Sequence, residues 1–307
     1  MSRRRLDALL LLDKPSGMTS NGALQAAKRL YRAEKAGHAG TLDPLACGLL
    51  AVLFGEATKF AGLLLDSDKE YEAKVLLGVS TTTGDTDGEV TARRPVRVEA
   101  ADLERALARF RGEFEQVPPM FSALKHEGRP LYELARRGAE VERAPRRVRV
   151  SALELRQRDG DLLTLRVHCS KGTYVRSLAI DLGETLGVGA CVASLRRTAS
   201  GRFSITDAVP LDVLAGLDDS GRDRLLRPLH TLLEGLPRVE LDDASSSRFS
   251  HGQAVATLDS PAAGRSQVWD GHGRLLGLGE RDSDRSIRPL RVLANPGDDV
   301  AKQHKSL

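Results

Sequence analysis

The sequence predicts an α+β protein: a mixed, largely antiparallel sheet with flanking helices, followed by a small β-rich C-terminal domain. Three observations lead there. Segments with strand and helix periodicity interleave along most of the 307-residue chain, which calls for helices packed on a sheet. Two alternating runs, Val148 to Leu155 and Leu162 to Cys169, are separated by Asp159-Gly160-Asp161, a hairpin signal that argues against a doubly wound parallel sheet. Past Pro237 the pattern becomes short strands divided by turns: Gln253 to Ala256, Gln267 to Asp270, Arg274 to Gly279 and Leu290 to Leu293, with Gly271-His272-Gly273 as a hairpin turn.

The elements follow in order. Ala8 to Leu12 is an unbroken apolar run, the pattern of a buried strand, stopped by Pro15, Ser16 and Gly17. Ser20 is a good N-cap, and Leu24, Ala27, Leu30 and Tyr31 recur behind it at helical spacing. Ala36 to Gly48 holds three glycines and a proline among small residues, so it reads as a loop and not a helix or strand. Leu49 to Phe54 is a central strand, Glu56 to Leu65 is helical through Phe60, Leu63 and Leu64, and Tyr71 to Leu77 is a strand entered at Tyr71. Ser80 to Gly88 is a polar loop. Asp102 caps a helix whose apolar face is Leu103, Ala106, Leu107 and Phe110, and Pro118-Pro119 breaks the chain.

Met120 to Arg149 is a charged, basic excursion with a short helical pattern at Leu131, Leu134 and Ala135. Ser170 to Arg176 opens a helix that carries Leu178, Leu182 and Leu186 and ends in Gly187 to Gly189; Ala190 to Thr198 is a strand. Leu211 to Leu233 is helical and connective. The expected organisation is a large α+β domain over 1–235 with an insertion at about 120–149, a β-rich domain over 236–295, and a frayed tail over 296–307.

Composition narrows the class. With 41% hydrophobic and 29% charged residues the chain is an ordinary globular protein. Lys plus Arg at 46 against Asp plus Glu at 42 gives +4, which by itself singles out no partner. The arginines are unevenly spread, with Arg136, Arg137, Arg143, Arg146, Arg147 and Arg149 in one region and Arg196, Arg197 and Arg202 in another. Such clusters neutralise phosphates or simply solvate a surface. Cys47, Cys169 and Cys191 are far apart, which excludes a cysteine zinc site and argues against a disulfide framework; Cys47 reads as a small buried hydrophobe. The Leu9 to Leu12 run is too short for a signal peptide, and no segment has the apolar length to span a membrane. The expected location is the cytoplasm.

The most informative stretch is Gly37-His38-Ala39-Gly40-Thr41-Leu42-Asp43-Pro44-Leu45-Ala46-Cys47-Gly48. Pro44 holds the backbone of Asp43 extended, and Leu42 and Leu45 flank it as anchors. A lone carboxylate on a stiff, glycine-edged loop is suited to face a substrate; an Asp-Pro pair equally starts a turn. His38 invites a metal or triad reading, but no H-E-x-x-H and no His pair at ligand spacing accompanies it. Asp85 and Asp87 alternate as in a calcium loop without the rest of the EF-hand spacing. There is no complete G-x-G-x-x-G and no G-x-x-x-x-G-K-[ST], so neither metal nor cofactor is expected.

This stretch resembles the catalytic motif of the TruB family of tRNA pseudouridine synthases. Leu12-Asp13-Lys14-Pro15-Ser16-Gly17-Met18-Thr19-Ser20 resembles that family's N-terminal motif, and the likeness runs to about Phe203. The resemblance implies the pseudouridine synthase fold, a PUA-like RNA-binding C-terminal domain, and action as a monomer on the T stem-loop of tRNA, at uridine 55. The insertion would fold over the RNA. Asp43 would be the nucleophile, Arg176 of Tyr174-Val175-Arg176 its partner or a phosphate clamp, and Tyr71 the base-stacking ring that also helps move the C5 proton. Tyr174, Leu195 and His38 would contact the substrate, as would Lys14, Lys59 and Asp85. A uridine inside folded RNA must be flipped out at a cost of a few kcal/mol, which stacking on an aromatic ring partly returns. The rival readings are a non-catalytic tRNA-binding or tRNA-folding protein and a metal-dependent hydrolase built on His38 and Asp85.

Overall fold

The computed structural model describes residues 2–257 and 263–294; the tail expected from Asn295 lies outside them. The larger sheet has eleven strands; besides the two-residue edge pieces Phe203–Ser204 and Arg227–Pro228, they are β1 (Ala8–Lys14), β2 (Ala36–Ala39), β3 (Cys47–Phe54), β4 (Lys69–Leu77), β5 (Gly112–Gln116), β6 (Arg146–Asp159), β7 (Leu162–Cys169), β8 (Ala190–Ser200) and β9 (Val209–Pro210). They stand side by side as β9-β1-β3-β8-β4-β7-β6-β5, with β2 beside β3. Only β1–β9 and β3–β8 are parallel; the other pairings are antiparallel. The predicted mixed, largely antiparallel sheet is therefore what forms.

Both faces of β1 and β3 are covered, which explains their unbroken apolar runs. Leu9 and Leu11 of β1 and Leu49, Ala51 and Leu53 of β3 face one apolar cluster. Their alternates Ala8, Leu10, Leu12, Leu50, Val52 and Phe54 face another, with Ala23, Leu24 and Ala27 of helix α1 (Ser20–Leu30). Strand residues alternate between faces, so only a strand buried on both sides reads as a solid hydrophobic block. A third cluster unites β4, β6, β7 and β8 with Leu103, Ala106 and Leu107 of α2 (Ala100–Arg109) and with Leu178, Ala179 and Leu182 of a later helix, Val175–Thr185.

The C-terminal residues form a five-stranded sheet. Its strands are β10 (Arg238–Leu241), β11 (Val255–Ala256), β12 (Gly264–Asp270), β13 (Leu275–Arg281) and β14 (Ser286–Val292), in the order β10-β12-β13-β14-β11. It has an apolar core of its own, including Phe249, Val268, Leu276 and Ile287. It also lends Leu275 and Leu278, together with Leu293, to the cluster that contains Leu229, Leu232 and Phe60.

Several local expectations change. Thr19, not Ser20, caps α1: its hydroxyl accepts from the Gly22 amide at 3.0 Å, while Ser20 turns inward. Helix α2 begins at Ala100 behind Glu99, which leaves Asp102 in the first turn, where a carboxylate favours the helix dipole. The stretch from Ala36 is not all loop, because Ala36–Ala39 pairs with β3. The Glu56 to Leu65 segment is a 3₁₀ turn, Gly55–Phe60, followed by a short helix, Ala61–Leu65. The Met120 excursion contains a hairpin of Lys125–His126 with Arg129–Pro130 and a helix, Leu131–Arg136, before β6 starts at Arg146. Cys47 is partly exposed, whereas Cys169 and Cys191 are buried.

The β3–β8 contact is short: Cys47 and Gly48 oppose Arg196 and Arg197. Gly48 has φ +103°, and a Cβ there would lie 2.4 Å from the Arg197 carbonyl oxygen. Gly48→Ala should therefore lower stability in urea unfolding by at least about 2 kcal/mol, combining a strained φ with a backbone clash. Gly160→Ala, at a positive φ in open space, should cost only about 1 kcal/mol. Equal losses would mean that the close approach constrains nothing.

Candidate active site

The loop from Gly40 to Ala46 is held by the turn that follows β1. Ser16 Oγ donates to the Leu45 carbonyl and the Gly17 amide donates to the Pro44 carbonyl, each at 2.8 Å. Ser20 Oγ donates to the Leu42 carbonyl at 3.0 Å and accepts from the Leu42 amide at 2.8 Å. Lys14, with no exposed surface, secures that turn by donating to the carbonyls of Pro15 (2.8 Å) and Met18 (2.5 Å). Burial pushes the Lys14 amine down to about 8, against the pull of Cys47 and Asp43. The two sequence motifs are thus one structure, a turn carrying a loop.

Asp43 projects from this loop toward the helix Val175–Thr185, where Arg176 Nε donates to its Oδ2 at 2.8 Å. Arg176 is 4% exposed. Its Nη1 donates to the Thr83 carbonyl at 2.9 Å and its Nη2 to the Phe121 carbonyl at 2.7 Å. Asp85 Oδ2 stands 3.6 Å from Nε, and the Asp85 carboxylate is itself bound by the Thr83 hydroxyl and the Asp87 amide. A buried cation is tolerable only when paired and hydrogen-bonded in this way. The Asp43 side chain keeps a third of its surface, so one carboxylate oxygen is fixed while the group stays accessible.

A cleft of about 310 Å³ opens over this pair, lined by Asp43, Tyr71, Tyr174, Arg176, Leu195 and, from the excursion, Ser122, Ala123 and Leu124. Tyr71 and Leu195 share a face because β4 and β8 pair Leu195 with Ala73 and Arg197 with Tyr71. Tyr174 is fixed through its backbone: Gln116 Oε1 accepts from its amide at 2.8 Å and Gln116 Nε2 donates to its carbonyl at 3.1 Å. Burial pushes both phenols, Tyr71 and Tyr174, above the ordinary value.

The nine residues singled out from sequence do not all meet. Asp43, Tyr71, Tyr174, Arg176 and Leu195 line the cleft. Lys14 lies beneath the loop and Asp85 behind Arg176, each tied to protein groups rather than open to a ligand. His38 is on β2 opposite Val52; burial, and then Arg197, pushes its pKa down. Lys59 is not brought to the cleft. Its amine binds Glu56 at 2.6 Å and the Val292 carbonyl at 2.8 Å, so it joins the two sheets. The arginine clusters are also partly neutralised, Arg147 by Glu113, Arg149 by Asp68 and Arg196 by Asp13.

Lys69 and Arg197, which also line the cleft, and Gln116, which braces Tyr174, were not singled out. Lys69, 7% exposed, donates to the carbonyls of Leu64, Leu65 and Ser67 at 2.6, 3.1 and 2.5 Å. A signal existed for two of them. Lys69 precedes Tyr71 by two residues and Arg197 follows Leu195 by two, so strand alternation puts each on the cleft face. Gln116 carried no such mark.

Among curated proteins, a tRNA pseudouridine synthase B of Azoarcus sp. (strain BH72) is 53% identical over 95% of this chain and 96% of its own length. That of Stutzerimonas stutzeri (strain A1501) is 50% identical over 95% and 97%. The chain belongs to the TruB family of pseudouridine synthases. Residues 28–175 match the TruB family pseudouridylate synthase N-terminal domain, 176–234 the tRNA pseudouridylate synthase B C-terminal domain, and 237–293 the TruB pseudouridine synthase II C-terminal model. Among solved structures, this chain is similar to a chain of the archaeal box H/ACA sRNP Nop10–Cbf5 complex (TM-score 0.72, 25% identity, 96% of this chain and 88% of that one). It is also similar to a Cbf5–Nop10–Gar1 complex (TM-score 0.70, 27% identity, 95% and 84%). Among the described residues no helix is long and apolar enough to cross a membrane, and no three His, Cys, Asp or Glu side chains gather as a metal-ligand set.

Burial pushes Lys69 from 10.5 down to about 8. Between those values the folded protein binds fewer protons than the unfolded chain, so this group makes stability rise with pH across that window. Lys69→Met should flatten the rise by up to about 1.4 kcal/mol per pH unit. Denaturant midpoints measured from pH 7 to pH 10.5 check this; an unchanged slope would refute it.

Proposed function

We propose that this protein isomerises uridine 55 in the T loop of tRNA to pseudouridine, with the Asp43 carboxylate as nucleophile. Its half-identical relatives are named tRNA pseudouridine synthases, which supports tRNA as substrate. The observation that carries the catalytic assignment is the 2.8 Å contact between Arg176 Nε and Asp43 Oδ2. The guanidinium fixes one carboxylate oxygen while the group stays accessible, and an oriented, accessible carboxylate is what a nucleophile needs.

The reaction breaks the N1–C1′ bond and joins C5 to C1′. The proton lost from C5 is matched by one gained at N1, so no redox partner or hydrolytic water enters the balance. Asp43 attacks either ribose C1′ or uracil C6, and both routes require the uridine to leave its stack. Tyr71 offers the ring for the flipped base, with Leu195 as the apolar wall beside it. Tyr174 contacts the substrate at the mouth. Asp85 acts through Arg176, sharing its charge and restraining its orientation. The C-terminal sheet, in the reading adopted here, adds RNA affinity without touching the reacting atoms.

Tritium release from tRNA labelled at uridine C5 tests the reaction directly. The wild type should release tritium, and carbodiimide mapping should put the product at position 55. Asp43→Asn should slow release by at least about 10³-fold while binding tRNA with nearly wild-type affinity. Tight binding by a wild type that releases no tritium would leave a tRNA-binding protein instead. Release by Asp43→Asn at the wild-type rate would remove Asp43 from the chemistry.

A further inference from the structure

Arg197 is 1% exposed, yet its guanidinium is satisfied by uncharged oxygens. Nε donates to the Leu49 carbonyl at 2.7 Å and Nη2 to the Gly40 carbonyl at 3.1 Å. The side chain lines the same cleft as the Tyr71 ring, and its positive charge favours the ionised phenol there against the effect of burial. The two residues are direct cross-strand partners, Arg197 on β8 opposite Tyr71 on β4. On its other edge the same residue opposes Gly48 of β3. One side chain therefore spans from the first residue of the Asp43 loop, through the strand that follows it, to the ring expected beneath the uridine.

We propose that Arg197 is a positioning residue for Tyr71, setting where the phenol oxygen stands relative to the Asp43 loop. The assignment rests on the reading of Tyr71 as the substrate-stacking ring. A guanidinium is required because its donors lie in one plane and point in fixed, divergent directions. A lysine ammonium keeps the charge but cannot bridge the Leu49 and Gly40 carbonyls as a planar fork lying beside Tyr71 does. Main-chain carbonyls hold the guanidinium, and the Tyr71 phenol belongs to the residue directly opposite it on the cleft face. The other titratable groups that face the Tyr71 phenol are Cys169 from β7 and Asp43 from the loop. Burial pushes Cys169 up to about 12, and Asp43 is bound to Arg176.

The test is Arg197→Lys in protein carrying 3-fluorotyrosine, with the Tyr71 fluorine resonance identified by its loss in Tyr71→Phe. The variant should move the Tyr71 resonance and shift its titration to higher pH, while the resonances of Tyr31, Tyr132 and Tyr174 stay. Single-turnover tritium release should fall at least about tenfold with the tRNA Kd changed by less than about twofold. Added to Tyr71→Phe, Arg197→Lys should cost little more, since both act on one contact. A Tyr71 resonance that does not move, or rate losses that simply multiply, would overturn the proposal. If Arg197→Lys does not fold, the wild type labelled with ¹⁵N-arginine replaces it: Tyr71→Phe must then alter the Arg197 guanidinium signals, and unchanged signals would overturn it. The spectroscopic readouts need no RNA. Absence of tritium release from the wild type would bring down the functional reading, whereas lost coupling in an active enzyme would bring down only the role of Arg197.

Discussion

The parallel contact between Cys47-Gly48 and Arg196-Arg197 is the constraint on which the arrangement depends. It spans two residue pairs, and so close an approach forms only because Gly48 presents no Cβ to the Arg197 backbone. Through it the end of the Asp43 loop is pinned to the strand that carries Leu195 and Arg197. The neighbouring antiparallel pairing of β8 with β4 then adds Tyr71. Loop, ring and apolar wall come from segments far apart in sequence, and backbone hydrogen bonds at one seam of the sheet bring them together.

Around this seam the protein buries an unusual amount of positive charge. Lys14, Lys69, Arg176 and Arg197 are each at most 7% exposed. Arg176 alone has carboxylates; Lys14, Lys69 and Arg197 rest chiefly on main-chain carbonyls. Carbonyl dipoles satisfy the donors but leave the net charge uncancelled. The site is thus electropositive from below, where its surface arginines are partly paired with carboxylates, a suitable floor for a polyanion whose base is drawn inward.

Much of this was legible in the sequence, for identifiable reasons. The two motifs that flank α1 were readable because glycine, proline and aspartate at close spacing have few structural meanings. The solid apolar runs of β1 and β3 marked strands covered on both faces. Asp43, Tyr71, Tyr174, Arg176 and Leu195 carry distinctive neighbours and do meet in one cleft. What sequence did not reveal were partners fixed by cross-strand register and by long-range carbonyl contacts. Arg197 looked like one arginine among several, and Gln116 lay in a stretch that the sequence pattern assigned to no element. Lys59 erred in the opposite direction, since its partners are a nearby glutamate and a carbonyl more than two hundred residues away.

That misplaced lysine belongs to a larger feature. Lys59 and Glu56 hold Val292 and Ala294, and Leu275, Leu278 and Leu293 sink into the same apolar cluster as Leu229 and Leu232. The C-terminal sheet is therefore welded on rather than tethered. A welded pair has a fixed span, so the separation between the cleft and the C-terminal surface works as a ruler. An RNA that touches both must match that length and angle in its own fold, and selection then falls on three-dimensional shape rather than on the order of its bases.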